Sequence, residues 1–137
     1  MRIEFVNRPA LLYRVARPEG GSLWYDKDGR QTGLVHSVPG ALAAHPPMPY
    51  DDAFRADGCK WISCTDTMDM LRVWFSTADM IELLDRGYVV QKIAVRNYRR
   101  FHFPTYRHEV FCEEQVIGRQ LIDPLLVWPD LGMKLAA

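Results

Sequence analysis

No run in this chain approaches the roughly 18 apolar residues that a helix needs to span a bilayer, so no membrane partner is expected. Neither sign of charge dominates: 17 Lys and Arg balance 17 Asp and Glu, and no global field points to nucleic acid or a lipid surface. Cysteine is scarce at three residues. An odd count fits no closed disulfide framework, and buried thiols in a reducing, cytoplasmic setting are the expectation. Cys59, Cys64 and Cys112 form no C-x₂-C pair, and His108 with Cys112 gives only two ligands, so no metal is expected. The opening stretch MRIEFVNRP lacks the apolar core of a signal peptide. Neither G-x-G-x-x-G nor G-x-x-x-x-G-K-[ST] is present, which removes the Rossmann fingerprint and the P-loop as routes to nucleotide binding. No internal repeat and no Ser-His-Asp order is recognisable; Cys64 alone stays open as a nucleophile.

What is present fits one domain over residues 1–137, long enough to bury a core without staples. Ala10–Ala16 reads as a strand ended by Arg17-Pro18-Glu19-Gly20-Gly21. Ser22–Tyr25 and Arg30–His36 flank Asp26-Lys27-Asp28-Gly29, a hairpin signal. Ser37–Gly58 holds four prolines and no period, and reads as a long loop with one short helical turn at Tyr50–Phe54. Lys60–Thr65 is a short strand. Asp66 opens a helical pattern with Met70, Leu71, Trp74 and Phe75 on one face. Ser76 is the expected N-cap of a second helix, with Asp79 three residues on and Gly87 as its stop. Tyr88–Val95 is β-branched and strand-like. Arg96–Thr105 reads as a basic, aromatic loop, Tyr106–Cys112 and Val116–Ile122 as further strands, and Leu125–Ala137 as an edge cap or tail. The Gly87–Val95 and Tyr106–Cys112 runs are expected to pair in one sheet. Strands, two helices, then strands again give an α+β fold. Its sheet is mixed or mostly antiparallel and split, with two short helices after the second core strand.

Arg14, Ser63 and Glu109 each sit in or at the end of an apolar run: ALLYRV, KWISCT and YRHEVFC. Burying such groups without partners is costly, so either they pair structurally or they line one cleft. Together an arginine can hold a phosphate, a serine can orient a sugar, and a carboxylate can stabilise a developing cation. On strands, Leu12 shares a face with Arg14, Ser63 with Thr65, and Glu109 with Arg107 and Phe111. The bland alternatives are an edge-strand ion pair for Arg14, helix capping near Ser63, and a salt bridge from Glu109 to Arg107. Arg96, Arg99, Arg100 and Arg107 interleave with Tyr98, Phe101, Phe103 and Tyr106, a mixture that can hold nucleic-acid phosphates and stack bases, or form a solvated basic edge.

In this order the residues resemble the ADP-ribosyltransferase superfamily of the Arg-Ser-Glu kind. Leu12-Tyr13-Arg14 looks like its first element. Ser63-Cys64-Thr65 looks like its Ser-Thr-Ser strand with the middle hydroxyl replaced. His108-Glu109-Val110-Phe111 looks like its glutamate strand, and Ile122-Asp123-Pro124 matches the end of its layout. The resemblance implies a split sheet clamping NAD as co-substrate. It makes Glu109 catalytic, steadying an oxocarbenium-like ribose, and makes Arg14, Ser63 and Thr65 the cofactor-binding residues. It also implies transfer to a macromolecule, protein first, with nucleic acid through Arg96, Arg99 and Arg100 as a second acceptor, as in a small toxin or effector. Arg107 stands where arginine-modifying members carry Glu or Gln, which points away from an arginine acceptor. The rival readings are a non-enzymatic, protein-binding inhibitor and an RNA-phosphate-acting relative of the same fold.

Overall fold

The computed structural model describes residues 2–20, 23, 28, 30, 32, 58, 59 and 61–135. The expected hairpin around Asp26–Gly29 and the Ser37–Gly58 loop lie outside the described residues, apart from isolated positions in the hairpin and Gly58.

Among the described residues, seven strands form two antiparallel sheets. β1 (Arg2–Val6), β5 (Tyr98–His102), β6 (Arg107–Cys112) and β3 (Trp61–Cys64) lie side by side in that order. β2 (Ala10–Ala16), β4 (Val89–Val95) and β7 (Val116–Ile122) make the second sheet. The class is α+β with antiparallel sheets, as the pattern predicts. Among the described residues a single bridge joins the sheets: Tyr13 N–H donates to the Thr65 carbonyl at 2.8 Å, and Thr65 N–H returns to the Tyr13 carbonyl at 2.9 Å.

Two helices follow β3, where the 3.6 periodicity puts them. In α1 (Met68–Trp74) the Thr67 hydroxyl caps the Met70 N–H at 3.2 Å. In α2 (Thr77–Asp85) Ser76 and Asp79 form a reciprocal capping box. Gly87, at φ 88°, takes the left-handed turn that ends α2 and admits the chain to β4. Leu71, Trp74, Phe75, Met80 and Leu83 pack with Val15 and Val90 on the helix-covered side of the three-stranded sheet. The last stretch forms two short helices, α3 (Pro124–Val127) and α4 (Leu131–Leu135), which close this core with Val127, Trp128 and Leu131. The Trp128 indole N–H donates to the Phe75 carbonyl at 2.8 Å. A second core fills the seam between the sheets: Leu12, Ile93 and Val95 from one, Val6, Cys64, Tyr98 and Phe111 from the other.

Three expectations need correction. Val89–Val95 and Arg107–Cys112 do not pair, because β4 lies between β2 and β7 whereas β6 lies between β5 and β3. The Arg96–Thr105 stretch is not one loop: Tyr98–His102 is a strand, paired with the N-terminal strand Arg2–Val6 that the sequence reading passed over. Its Tyr98 and Phe101, three residues apart and so on opposite faces of the strand, are both buried, one in each core that the strand touches. Lastly, Cys59, two residues before β3, and Cys112, at the end of β6, form a disulfide with Cα atoms 6.0 Å apart, and Cys64 is a free thiol. An odd count conceals one pair plus one buried sulfur.

Trp74 is almost wholly buried, so Trp74→Ala should lower the unfolding free energy by about 3–5 kcal/mol, read from the denaturation midpoint. Alkylation of the unfolded, unreduced protein should modify Cys64 alone; reduction first should expose all three thiols, as mass spectrometry will report.

Candidate active site

Strand register assembles the polar residues into one row. Tyr13 pairs with Thr65, so the next step of that antiparallel register sets Arg14 opposite Cys64. Cys64 lies opposite Glu109, Glu109 opposite Arg100, and Arg100 opposite Glu4. On the other side Arg14 lies opposite Gln91. Side chains alternate along each strand, so this row shares the face of Leu12 and Phe111, the seam between the sheets. The seam is apolar at one end and charged at the other.

Glu109 is the centre of the charged end. Its side chain is 2% exposed, and its Oε1 accepts from Arg107 Nε at 2.8 Å and Arg100 Nε at 3.4 Å. Burial raises its carboxyl above the ordinary value, and the neighbouring Asp66 charge adds to the rise, against the two arginines. Asp66 in turn accepts from Arg100 Nη2 at 2.6 Å and Arg107 Nη2 at 2.9 Å. Arg100 also donates to Tyr98 Oη at 2.9 Å and to both Glu4 oxygens at 3.2 and 3.3 Å. The His102 imidazole meets Glu4 Oε1 at 2.7 Å. Arg100 therefore ties three carboxylates from three chain segments into one network.

Arg14 is buried on the facing sheet. Desolvation lowers its pKa to about 10; the Cys64 thiol and Glu113 oppose that fall, and Arg119 reinforces it. Arg119 Nη1 donates to Gln91 Oε1 at 3.4 Å. Burial pushes the Cys64 thiol well above its usual range, Glu109 adds to the push, and Arg14 opposes it. Cys64 thus sits in register between an arginine and a glutamate, and burial favours its neutral thiol over the nucleophilic thiolate.

The sequence-predicted residues divide. Arg14 and Glu109 share the seam. Ser63 does not: it lies opposite Val110 and its hydroxyl is 2.5 Å from His108 Nε2, on the other face of the sheet. His108 is itself buried, edge-on to Trp74. Thr65 is fully buried and its hydroxyl donates to the Thr67 carbonyl at 2.8 Å, turning the chain into α1. The residue beside Glu109 is Cys64, and the one-residue offset follows from the β3–β6 register, which the sequence does not encode locally. Asp66, Glu4, His102 and Gln91 are absent from the residues that the sequence singles out for function, and Arg100 is among them only as a nucleic-acid contact; pairing with β1 and β6, which has no local signature, is what brings them together. The proposed basic strip also splits. Arg100 enters the seam, Arg99 lies over Trp61 and Phe5 at 4.3 and 4.8 Å from the ring centres, and Arg96 donates to the Glu114 carbonyl at 3.5 Å. Among the described residues, no group of His, Cys, Asp and Glu is arranged to hold a metal ion, and no helix is long and apolar enough to cross a membrane.

No protein family, curated protein or solved structure matches this chain.

Because Glu109 binds its proton more tightly folded than unfolded, its ionisation costs stability. Below the model-compound value of 4.5 the carboxyl is protonated in both states. As pH rises from there through the higher folded pKa, the unfolded state ionises first and wild type loses stability. The difference in unfolding free energy between wild type and Glu109→Gln should therefore shift in favour of the variant as pH is raised from about 4.5 to 7, measured by parallel denaturant titrations. A constant difference would show that the two arginines fully offset the burial.

Proposed function

We propose that the protein is an NAD-dependent ADP-ribosyltransferase-like enzyme that modifies a macromolecular acceptor, in the manner of a small toxin or effector. One observation carries the reading: Arg14 and Glu109 come from separate sheets yet line one seam in a single register row, with only Cys64 between them. A buried guanidinium and a buried carboxylate so placed suit a ligand that is anionic at one end and develops positive charge at the other. NAD is such a ligand. Its diphosphate is anionic, and its ribose gains oxocarbenium character as nicotinamide leaves. A seam between two antiparallel sheets supports the reading of a split sheet. Cys64 takes over the contact expected of Ser63, while Ser63 and Thr65 shape the strand that carries it.

Glu109 steadies the ribose cation, Arg14 holds the phosphate end, and Arg100 with Arg107 fixes the Glu109 carboxylate. The acceptor is a protein in the first instance. Arg107, 42% exposed at the rim, is the group that an incoming acceptor meets, and it repels an arginine. The Cys59–Cys112 disulfide favours an exported protein over the cytoplasmic location expected from the cysteine count. A protein-binding role without catalysis is favoured by one feature: Phe5, 57% exposed beside Arg99, offers an aromatic contact on the opposite face.

Nicotinamide release from NAD, with and without cell lysate, tests the enzyme reading. Glu109→Gln keeps shape and removes charge, so turnover should fall by about 10²-fold or more, by analogy with losing one placed electrostatic group. A wild-type protein that neither binds nor consumes NAD in either condition removes the enzyme and leaves the binding role.

A further inference from the structure

We propose that His102 is the base that takes the proton from the acceptor, an assignment that rests on the reading above and extends it to a residue outside the Arg-Ser-Glu pattern. His102 is the last residue of β5, two positions from Arg100 and on the same seam-facing side. It lies opposite Arg107 in register, next to Glu109 on β6. Its Nε2 is 2.7 Å from Glu4 Oε1. The Glu4 carboxyl is held below its usual value, first by this bond and then by Arg100, so it is an ionised acceptor. The proton of the neutral imidazole therefore sits on Nε2, and the lone pair is left on Nδ1.

The other proton acceptors on this face are occupied. Glu109 is engaged by Arg107 and Arg100 and is 2% exposed, and Asp66 is held by the same two arginines. Glu4 is gripped by Arg100 through both oxygens. His102 is 27% exposed and is engaged at Nε2 by Glu4, which leaves Nδ1 as the acceptor it offers on this face. The charged groups that face it are Arg2 and Glu4 from β1, Arg107 and Glu109 from β6, and Arg100 from its own strand. Glu4 and Arg100 link it to Glu109, so the group that steadies the cation and the group that takes the proton are positioned together.

The step balances as follows. The bond from ribose C1′ to the nicotinamide nitrogen breaks, and its electron pair leaves with nicotinamide. An acceptor oxygen, from a hydroxyl or from water, forms the new bond to C1′. Its proton passes to His102 Nδ1 and then to solvent. The assignment predicts a hydroxyl-bearing acceptor, with water as the default.

The test uses the full chain, NAD, and water as the acceptor, with nicotinamide release followed from about pH 5 to 8 across the imidazole range. Wild type should show a kcat that rises with pH as the general base loses its proton. His102→Gln should lower kcat by about 10²-fold, leave KM for NAD within about twofold, and lose the pH-dependent limb. Imidazole added to His102→Ala should restore part of the rate, which a purely structural role would not allow. An active wild type whose kcat and pH profile survive His102→Gln overturns the assignment. Should the variants fail to fold, the wild-type profile decides: a kcat flat across this range overturns it equally. A wild type that releases no nicotinamide at any pH refutes the parent reading instead, an outcome distinct from an active enzyme indifferent to His102.

Discussion

The two hydrogen bonds between Tyr13 and Thr65 set the relation of everything else. They are the one ladder contact between the sheets among the described residues. Because pairing fixes both partner and facing, that single bridge decides which side chains meet across the seam. Shift it by one residue and Arg14 turns away, since strand side chains alternate. The bridge is also secured from outside. Thr65 is fully buried, its hydroxyl is committed to the turn into α1, and α1 packs its Leu71 and Trp74 into the core that Val15 shares. The apolar packing that stabilises the fold thereby holds the polar row in register.

That row is costly by itself. Desolvating charges in a seam lined by Leu12, Ile93 and Phe111 is recovered only when each has good partners. Arg100 supplies them, with a planar fork spread over Glu4, Asp66 and Glu109. Replacing such a network by apolar residues often leaves stability unchanged or improves it, whereas removing one member is strongly destabilising. Three carboxylates, two arginines and an imidazole at one end of an otherwise apolar seam are therefore weak evidence of stabilisation, and each holds its charge there only through the others.

Much of the local structure was legible. Ser76, Asp79 and Gly87 marked α2 correctly, because caps and left-handed turns are short-range chemistry. The apolar run Ala10–Ala16 and the β-branched run Tyr88–Val95 mark two strands that pair with each other. What was hidden was non-local. Strand partners depend on the whole fold, so Val89–Val95 and Arg107–Cys112 looked like neighbours and are in different sheets. β5 was masked by composition: Arg99 and Arg100 made a strand look like a basic loop, though one stacks on aromatic rings and the other enters the seam. Ser63 was preferred over Cys64 on chemistry alone, and one step of register reverses the choice.

The disulfide has a consequence in the way the chain is enclosed. The Cys59–Cys112 bond closes a covalent ring that contains Cys64, Asp66, Arg100, His102 and Glu109, and leaves Glu4 and Arg14 outside it. A single backbone cut inside the ring releases nothing. A cut between Arg14 and Cys59, or one after Cys112, divides the molecule into two pieces, which strand pairing, ion pairs and the shared apolar cores then hold together. Covalent separation of Arg14 from Glu109 therefore takes a single cleavage, made on the Arg14 side of Cys59.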